Sequence, residues 1–141
     1  MERILENKKI FIVEDNVTNL AVFSTTLRAH GAQMIQDFWN YRTIELLKAV
    51  LPVDIILLDL MLHNGVSGYS IFEALKQEEC LVNIPVVAVS ASEPSVEIPK
   101  AMKLGLSGFI PKPISLKDFP RQIASCIAGE KLWLHESRPS Y

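Results

Sequence analysis

Two stretches of the chain admit few environments. Asp54-Ile55-Ile56-Leu57-Leu58 and Ile84 to Val89 run without polar alternation. A strand with one face in water alternates apolar with polar residues, whereas an uninterrupted aliphatic run must be covered on both faces. Pro85 stands at the entry of the second run, where no ladder donor is needed. Lys9 to Val13 is a third run of aromatic and β-branched residues and stops abruptly at Glu14-Asp15. Ala32 to Gln36 is a weaker strand candidate, and Ser107 to Ile110 a short last one.

The segments between these runs have helical spacing. Asn16 to His30 places Leu20, Phe23 and Leu27 on one face and closes at Gly31. Asn40 to Leu51 does the same with Ile44, Leu47 and Leu51 before Pro52, and Tyr69 to Glu78 turns Ile71, Phe72 and Leu75 inward. Phe119 to Ala128 is a final helix, ended by Gly129. Strand alternating with helix five times predicts a parallel sheet covered on both faces by right-handed crossovers. For 141 residues, the expected fold is α/β: a flavodoxin-like doubly wound five-stranded sheet of order 2-1-3-4-5.

Composition closes off other classes. With 49% hydrophobic residues there is ample surface to bury, which excludes a largely disordered chain. Fourteen Lys plus Arg against 16 Asp plus Glu give a net charge of −2, with no basic stripe, so nucleic acid is not the expected partner. No run is long enough to span a membrane, and Met1 to Lys9 has no apolar signal core, so a cytoplasmic protein is expected. Cys80 and Cys126 are expected as reduced, partly buried thiols. Residues 1–129 form the expected domain and 130–141 a tail or linker, in which Leu132, Trp133 and Leu134 could dock.

In a doubly wound sheet, ligands bind beyond the carboxyl ends of the strands. There the sequence puts Glu14 and Asp15 after the first strand, Asp59 after the third, Ser90 at the end of the fourth and Lys112 after the fifth. Neighbouring carboxylates repel, and each is costly beside an apolar sheet. A hard divalent cation relieves that cost, and Mg²⁺ suits a few carboxylates, a carbonyl and waters. Acids often end strands simply to reach water; five polar groups converging from four strand ends carry far more weight.

The motifs IFIVED (Ile10 to Asp15), IILLDLML (Ile55 to Leu62), VVAVSAS (Val86 to Ser92) and GFIPKP (Gly108 to Pro113) resemble the receiver domain of two-component response regulators. The resemblance spans Lys8 to Gly129. It implies that Asp59 accepts a phosphoryl group from a histidine kinase or a histidine phosphotransfer protein. It also implies that Glu14, Asp15, Asp59 and the Met61 backbone carbonyl hold Mg²⁺. Lys112 would pair with a phosphoryl oxygen, and with Asp59 at rest, and Ser90 would move toward the phosphoryl group. Phe109 stands at the switch-aromatic position, whose ring fills the space Ser90 leaves; on sequence alone it reads as core. A cis peptide is implied at Lys112-Pro113, and Met61 and Ser92 stand where the family tunes water access to the phosphoryl group.

One departure concerns the loop after Asp59. Leu62-His63-Asn64-Gly65-Val66-Ser67-Gly68 lacks the family's proline, and its matching glycine falls one residue later. A longer, more mobile loop is expected, with His63 in solvent or near the phosphoryl site. Proline at positions 94 and 99 predicts that Ser92 to Ile98 is a loop anchored by Val96 and Ile98, followed by a short helix over Lys100 to Leu104. The function expected is a phosphorylation-dependent switch rather than an enzyme, its partner or homodimer face built from the fourth helix to the fifth. The alternative is a pseudo-receiver or scaffold acting without phosphorylation, which the five competent site residues disfavour. An aspartyl-phosphate phosphatase would want an acid at Met61, and a flavin carrier would want a phosphate-cradling loop where Glu14-Asp15 stands. No output unit is legible after Gly129, which leaves open a stand-alone receiver and a segment of a larger or hybrid protein.

Overall fold

The computed structural model describes residues 2–62 and 65–136. The elements run β1 (Lys9–Val13), α1 (Val17–Arg28), β2 (Gln33–Asp37), α2 (Thr43–Ala49), β3 (Ile55–Leu58) and α3 (Gly68–Lys76). They continue with β4 (Val86–Ser90), α4 (Pro94–Leu104), β5 (Gly108–Pro111), α5 (Phe119–Ile127) and β6 (Leu132–Trp133). One sheet of order β2-β1-β3-β4-β5-β6 results, and every pairing in it is parallel.

The aliphatic runs do what their composition requires. β3, β4 and β5 are buried at every position, whereas β2 is an edge strand with four of five positions at least partly open. Period-two alternation divides the apolar side chains between two cores. Phe11, Ile56, Ala88 and Phe109 face the layer built from α2, α3 and α4, while Ile12, Leu57, Val89 and Ile110 face α1 and α5. Side-chain caps start two helices: Asn16 accepts from the Asn19 amide at 2.9 Å and Ser67 from the Tyr69 amide at 3.1 Å.

The sheet has six strands, not five. Leu132–Trp133 lies in the stretch expected to be a tail and adds a parallel strand to β5, through Leu132 N–H to the Ser107 carbonyl (3.1 Å) and Leu134 N–H to the Phe109 carbonyl (3.0 Å). Trp133 packs on one core, Leu132 and Leu134 on the other. Gly108 makes this approach possible, because a Cβ there would lie 2.6 Å from the Leu132 carbonyl oxygen.

The second correction concerns α4. The predicted loop over Ser92–Ile98 and helix over Lys100–Leu104 are replaced by one helix of 11 residues, with Pro94 in its first turn and Pro99 inside it. The physical reason is burial. Ile98 and Ala101, three residues apart, are 2% and 0% exposed, and only a helix continuous through Pro99 seats both in the core. Burying an isoleucine contributes about 2 kcal/mol, comparable to the roughly 3 kcal/mol that an interior proline costs. Val96, expected as an anchor, is 51% exposed. Gly105, at φ 100°, caps the helix in the left-handed region that glycine tolerates. Cys80 is exposed rather than partly buried, and Cys126 is buried.

Because the Pro99 ring is exposed, Pro99→Ala removes a steric clash and restores a backbone donor while sacrificing little packing. It should stabilise the protein by about 1–2 kcal/mol after allowing for the freer unfolded chain. Urea unfolding midpoints test this, and a lower midpoint for the variant would refute it.

A candidate phosphoryl and metal site at the strand ends

Parallel register assembles the site. Val13 pairs with Leu58, so Glu14 and Asp59 emerge side by side, and Ser90 pairs with Pro111, which places Lys112 just beyond it. Backbone bonds carry the ladder past the strands: Asp59 N–H to the Val13 carbonyl (3.1 Å), Glu14 N–H to the Asp37 carbonyl (3.2 Å) and Lys112 N–H to the Ser90 carbonyl (2.9 Å). The Lys112–Pro113 peptide is cis. Oxygens of Glu14, Asp15 and Asp59 lie within 4.8 Å of one another.

Glu14 and Asp59 are 1% and 8% exposed. Lys112 Nζ sits 3.2 Å from both Glu14 oxygens and 3.3 Å from Asp59 Oδ2, so its ammonium bridges the two buried acids. The Asn19 amide donates to Glu14 Oε1 at 3.0 Å. Burial pushes the Glu14 carboxyl above its usual range. The Asn19 hydrogen bond opposes that rise, the nearby Asp59 charge adds to it, and Lys112 offsets it. The Lys112 ammonium also lies 6.0 Å from the centre of the Phe23 ring, which packs on Phe119 with ring centres 5.5 Å apart.

Met61 stands at the same rim. Met61 donates its amide to Asp59 Oδ1 at 3.2 Å and pairs with Ser67 in an isolated antiparallel bridge, which holds the Met61 peptide beside the carboxylate. Gly68 donates to the Leu60 carbonyl at 2.8 Å, and a Cβ on Gly68 would lie 2.5 Å from the Asp59 carbonyl oxygen. The loop expected to be longer and more mobile therefore has both described flanks tied, with Gly65 at φ 77° turning the chain between them. His63 and Asn64 lie outside the described residues.

Ser90 is 1% exposed, and its hydroxyl bonds to Ser92 Oγ at 3.2 Å; Ser92 in turn donates to Met61 Sδ at 3.2 Å. Phe109 is fully buried on the face of the sheet that looks toward α3 and α4. Two contacts escaped sequence reasoning. Asn19 stands one helical turn beyond the Asn16 cap, a spacing that is legible once the cap is fixed. Tyr69 donates its hydroxyl to Glu97 of α4 across a cleft of about 320 Å³, and nothing in the sequence pairs those two.

Three clustered carboxylates with one bridging ammonium suit an oxygen-preferring divalent cation and a phosphoryl group. The chain belongs to the response regulator receiver domain family, whose model matches residues 10–124. It is similar to the polar-differentiation response regulator DivK of Brucella ovis, with 34% identity over 118 residues covering 84% of this chain and 94% of that one. The DivK of Brucella anthropi is 33% identical over the same coverage. Among solved structures, a receiver domain of a Pseudomonas aeruginosa sensor histidine kinase, with magnesium coordinated in its active-site cleft, superposes with a TM-score of 0.73. It is 22% identical and covers 87% of this chain and 98% of that one. The non-phosphorylated HemR receiver domain of Leptospira biflexa gives 0.73 at 24% identity, covering 96% and 100% of the two chains. These likenesses carry the fold, and the family carries phosphorylation-based signalling. No helix among the described residues is long and apolar enough to cross a membrane.

Lys112→Ala leaves Glu14 and Asp59 buried without their shared cation. It should lower the unfolding free energy at neutral pH by about 3 kcal/mol while the sheet persists. Burial already raises the Glu14 carboxyl and Lys112 opposes that rise, so without the ammonium Glu14 binds its proton more tightly still in the folded than in the unfolded chain. The deficit should therefore shrink as pH falls toward the carboxylate range. Denaturant unfolding at pH 7.5 and pH 5 checks both the size and the sign.

Proposed function

We propose that the chain is a signalling switch that accepts a phosphoryl group on Asp59 from a phosphohistidine of a histidine kinase or a histidine phosphotransfer protein. The observation that carries this reading is a nearly buried Asp59 carboxylate held between a second acid, Glu14, and the ammonium of Lys112. An oxygen of Asp59 attacks phosphorus, the P–N bond to the donor imidazole breaks, and an acyl phosphate forms on the aspartate. Glu14, Asp15, Asp59 and the Met61 carbonyl are the proposed Mg²⁺ ligands. The ion, when bound, neutralises charge on the phosphoryl oxygens.

The protein groups do the rest. Lys112 exchanges one contact with Asp59 for one with a phosphoryl oxygen and stays in a site where its charge is little screened. The Ser90 hydroxyl turns from Ser92 to a second phosphoryl oxygen. Because Lys112 N–H is bonded to the Ser90 carbonyl, both moves act on the same pair of strands. We assign the chain no turnover of a separate substrate: its chemistry is directed at its own aspartate, ends in slow loss of the phosphoryl group, and runs in the cytoplasm.

Acetyl phosphate with Mg²⁺ supplies the test. Intact mass should show a single base-labile adduct of about 80 Da in the wild type and none in Asp59→Asn, as an acyl phosphate requires. Asp15→Asn should bind Mg²⁺ at least tenfold more weakly in a titration, since it removes one of the three clustered charges. An adduct that survives in Asp59→Asn would overturn the assignment. Met61→Asn places a polar group at the rim where Met61 and Ser92 meet, and should shorten the lifetime of the acyl phosphate by admitting water. A time course of adduct loss reads that directly, and an unchanged lifetime removes Met61 from the mechanism.

A further inference from the structure

β6 occupies the outer edge of β5, the strand that carries Phe109 and leads to Lys112. The two-residue side-chain period places three residues on one face of the sheet. Ser90 continues the series Val86, Ala88; Phe109 lies beside Ala88; and Trp133 lies beside Phe109 in register. Val86, Ala88 and Phe109 belong to the core under α3 and α4, against which Trp133 packs half-buried. A continuous row thus runs from the Ser90 hydroxyl at the end of β4 to an indole at the end of the sheet.

The backbone runs parallel to that row. Phe109 offers its carbonyl to Leu134 N–H at 3.0 Å, and three residues later Lys112 N–H holds the Ser90 carbonyl at 2.9 Å. The strand at the far end is weakly held. It has two residues in its ladder and partly exposed side chains at Leu132, Trp133 and Leu134. Short edge elements with few buried contacts open at the low end of a protein's stability range. β5, by contrast, is buried throughout.

We propose that β6 is a displaceable cover of the β5 edge whose docking is coupled to the Asp59 site. Phosphorylation draws Ser90 and Lys112 toward the phosphoryl oxygens, Phe109 follows into the space Ser90 leaves, and Trp133 loses the surface it packs on. β6 then loosens and bares the edge of β5 between α4 and α5. The inference rests on the proposed role of Asp59 and adds the element through which that site reshapes its surroundings. Coupling of this kind is reciprocal. If the phosphoryl group weakens β6 docking by some factor, weakening β6 must favour the phosphorylated chain by the same factor.

Both directions are measurable on the full chain. Hydrogen exchange of residues 131–134 is followed with Mg²⁺ alone and with Mg²⁺ plus acetyl phosphate, and the intact mass of the same sample reports the phosphorylated fraction. Protection of the Leu132 and Leu134 amides should fall at least tenfold in the phosphorylated chain, while β1 and β3 keep theirs. Conversely, Trp133→Ala should raise the phosphorylated fraction at equal acetyl phosphate. Trp133→Phe, a smaller perturbation that retains an aromatic ring, should do so in the same direction by less. Trp39 follows β2, at the opposite edge of the sheet, so Trp39→Phe leaves Trp133 as the lone tryptophan, whose selectively excited emission should shift to the red on phosphorylation. A chain that gains the adduct with unchanged protection and emission overturns the cover and leaves the role of Asp59 standing. A chain that gains no adduct at all overturns both.

Discussion

A single ammonium stands between two acids that the sheet has nearly removed from water. Taking a carboxylate out of water costs several kcal/mol even after relaxation, and the favourable geometry of its partners must offset that cost. Lys112 offsets it for both Glu14 and Asp59, at 3.2 and 3.3 Å. The surroundings are arranged around that pairing. Asn19 takes part of the Glu14 charge, Met61 N–H part of the Asp59 charge, and the Phe23 ring offers a negative face to the Lys112 ammonium. A phosphoryl group or a divalent cation entering the site alters this balance directly, which makes the site responsive as well as tightly held.

The sheet converts that local balance into a mechanical one. A one-residue slip of strands buried on both faces would exchange their side chains between two cores packed for different shapes. The register that sets Glu14 beside Asp59 and Lys112 beyond Ser90 is therefore fixed by Ile10, Ile12, Ile55 and Leu57 as much as by any polar contact. Ser90 is the exception within this rigid frame. It ends a fully buried strand, yet among the described residues its hydroxyl bonds to Ser92 in the loop that follows, so it can change partners without disturbing the ladder.

Much of this was legible in the chain before any coordinates, because the strongest signals come from burial. The uninterrupted runs at 55–58 and 86–89 leave a strand no option but the middle of a parallel sheet, and the site residues follow from where those runs end. The misreadings have equally physical causes. Leu132–Trp133 is too short to show a period, and what makes it a strand is the bare edge of β5 and the absent side chain of Gly108, both tertiary facts. Pro99 is read locally as a helix start, but the burial of Ile98 and Ala101 outweighs it. Asn19 becomes legible only once the Asn16 cap is fixed, and Tyr69 was missed because one ordinary polar residue on a helix says nothing about the carboxylate it will meet.

That last pairing bears on how α4 is held. Pro99 leaves the helix short of one internal hydrogen bond, so the position of α4 depends on its neighbours more than on its own propensity. Three groups supply the hold: Ile98 and Ala101 in the core, the left-handed cap at Gly105, and the Tyr69 hydroxyl bonded to Glu97. Burial first, and then the Glu97 carboxylate, push the Tyr69 phenol well above its usual range, so the phenol stays the donor in this bond. Tyr69 lies on α3, next to the Gly68 that presses on the Asp59 backbone, and α4 begins two residues beyond Ser92. A shift at the rim therefore reaches α4 from both sides, through the backbone after Ser90 and through the Tyr69 bond. A helix held mainly from outside itself has little of its own with which to resist that shift.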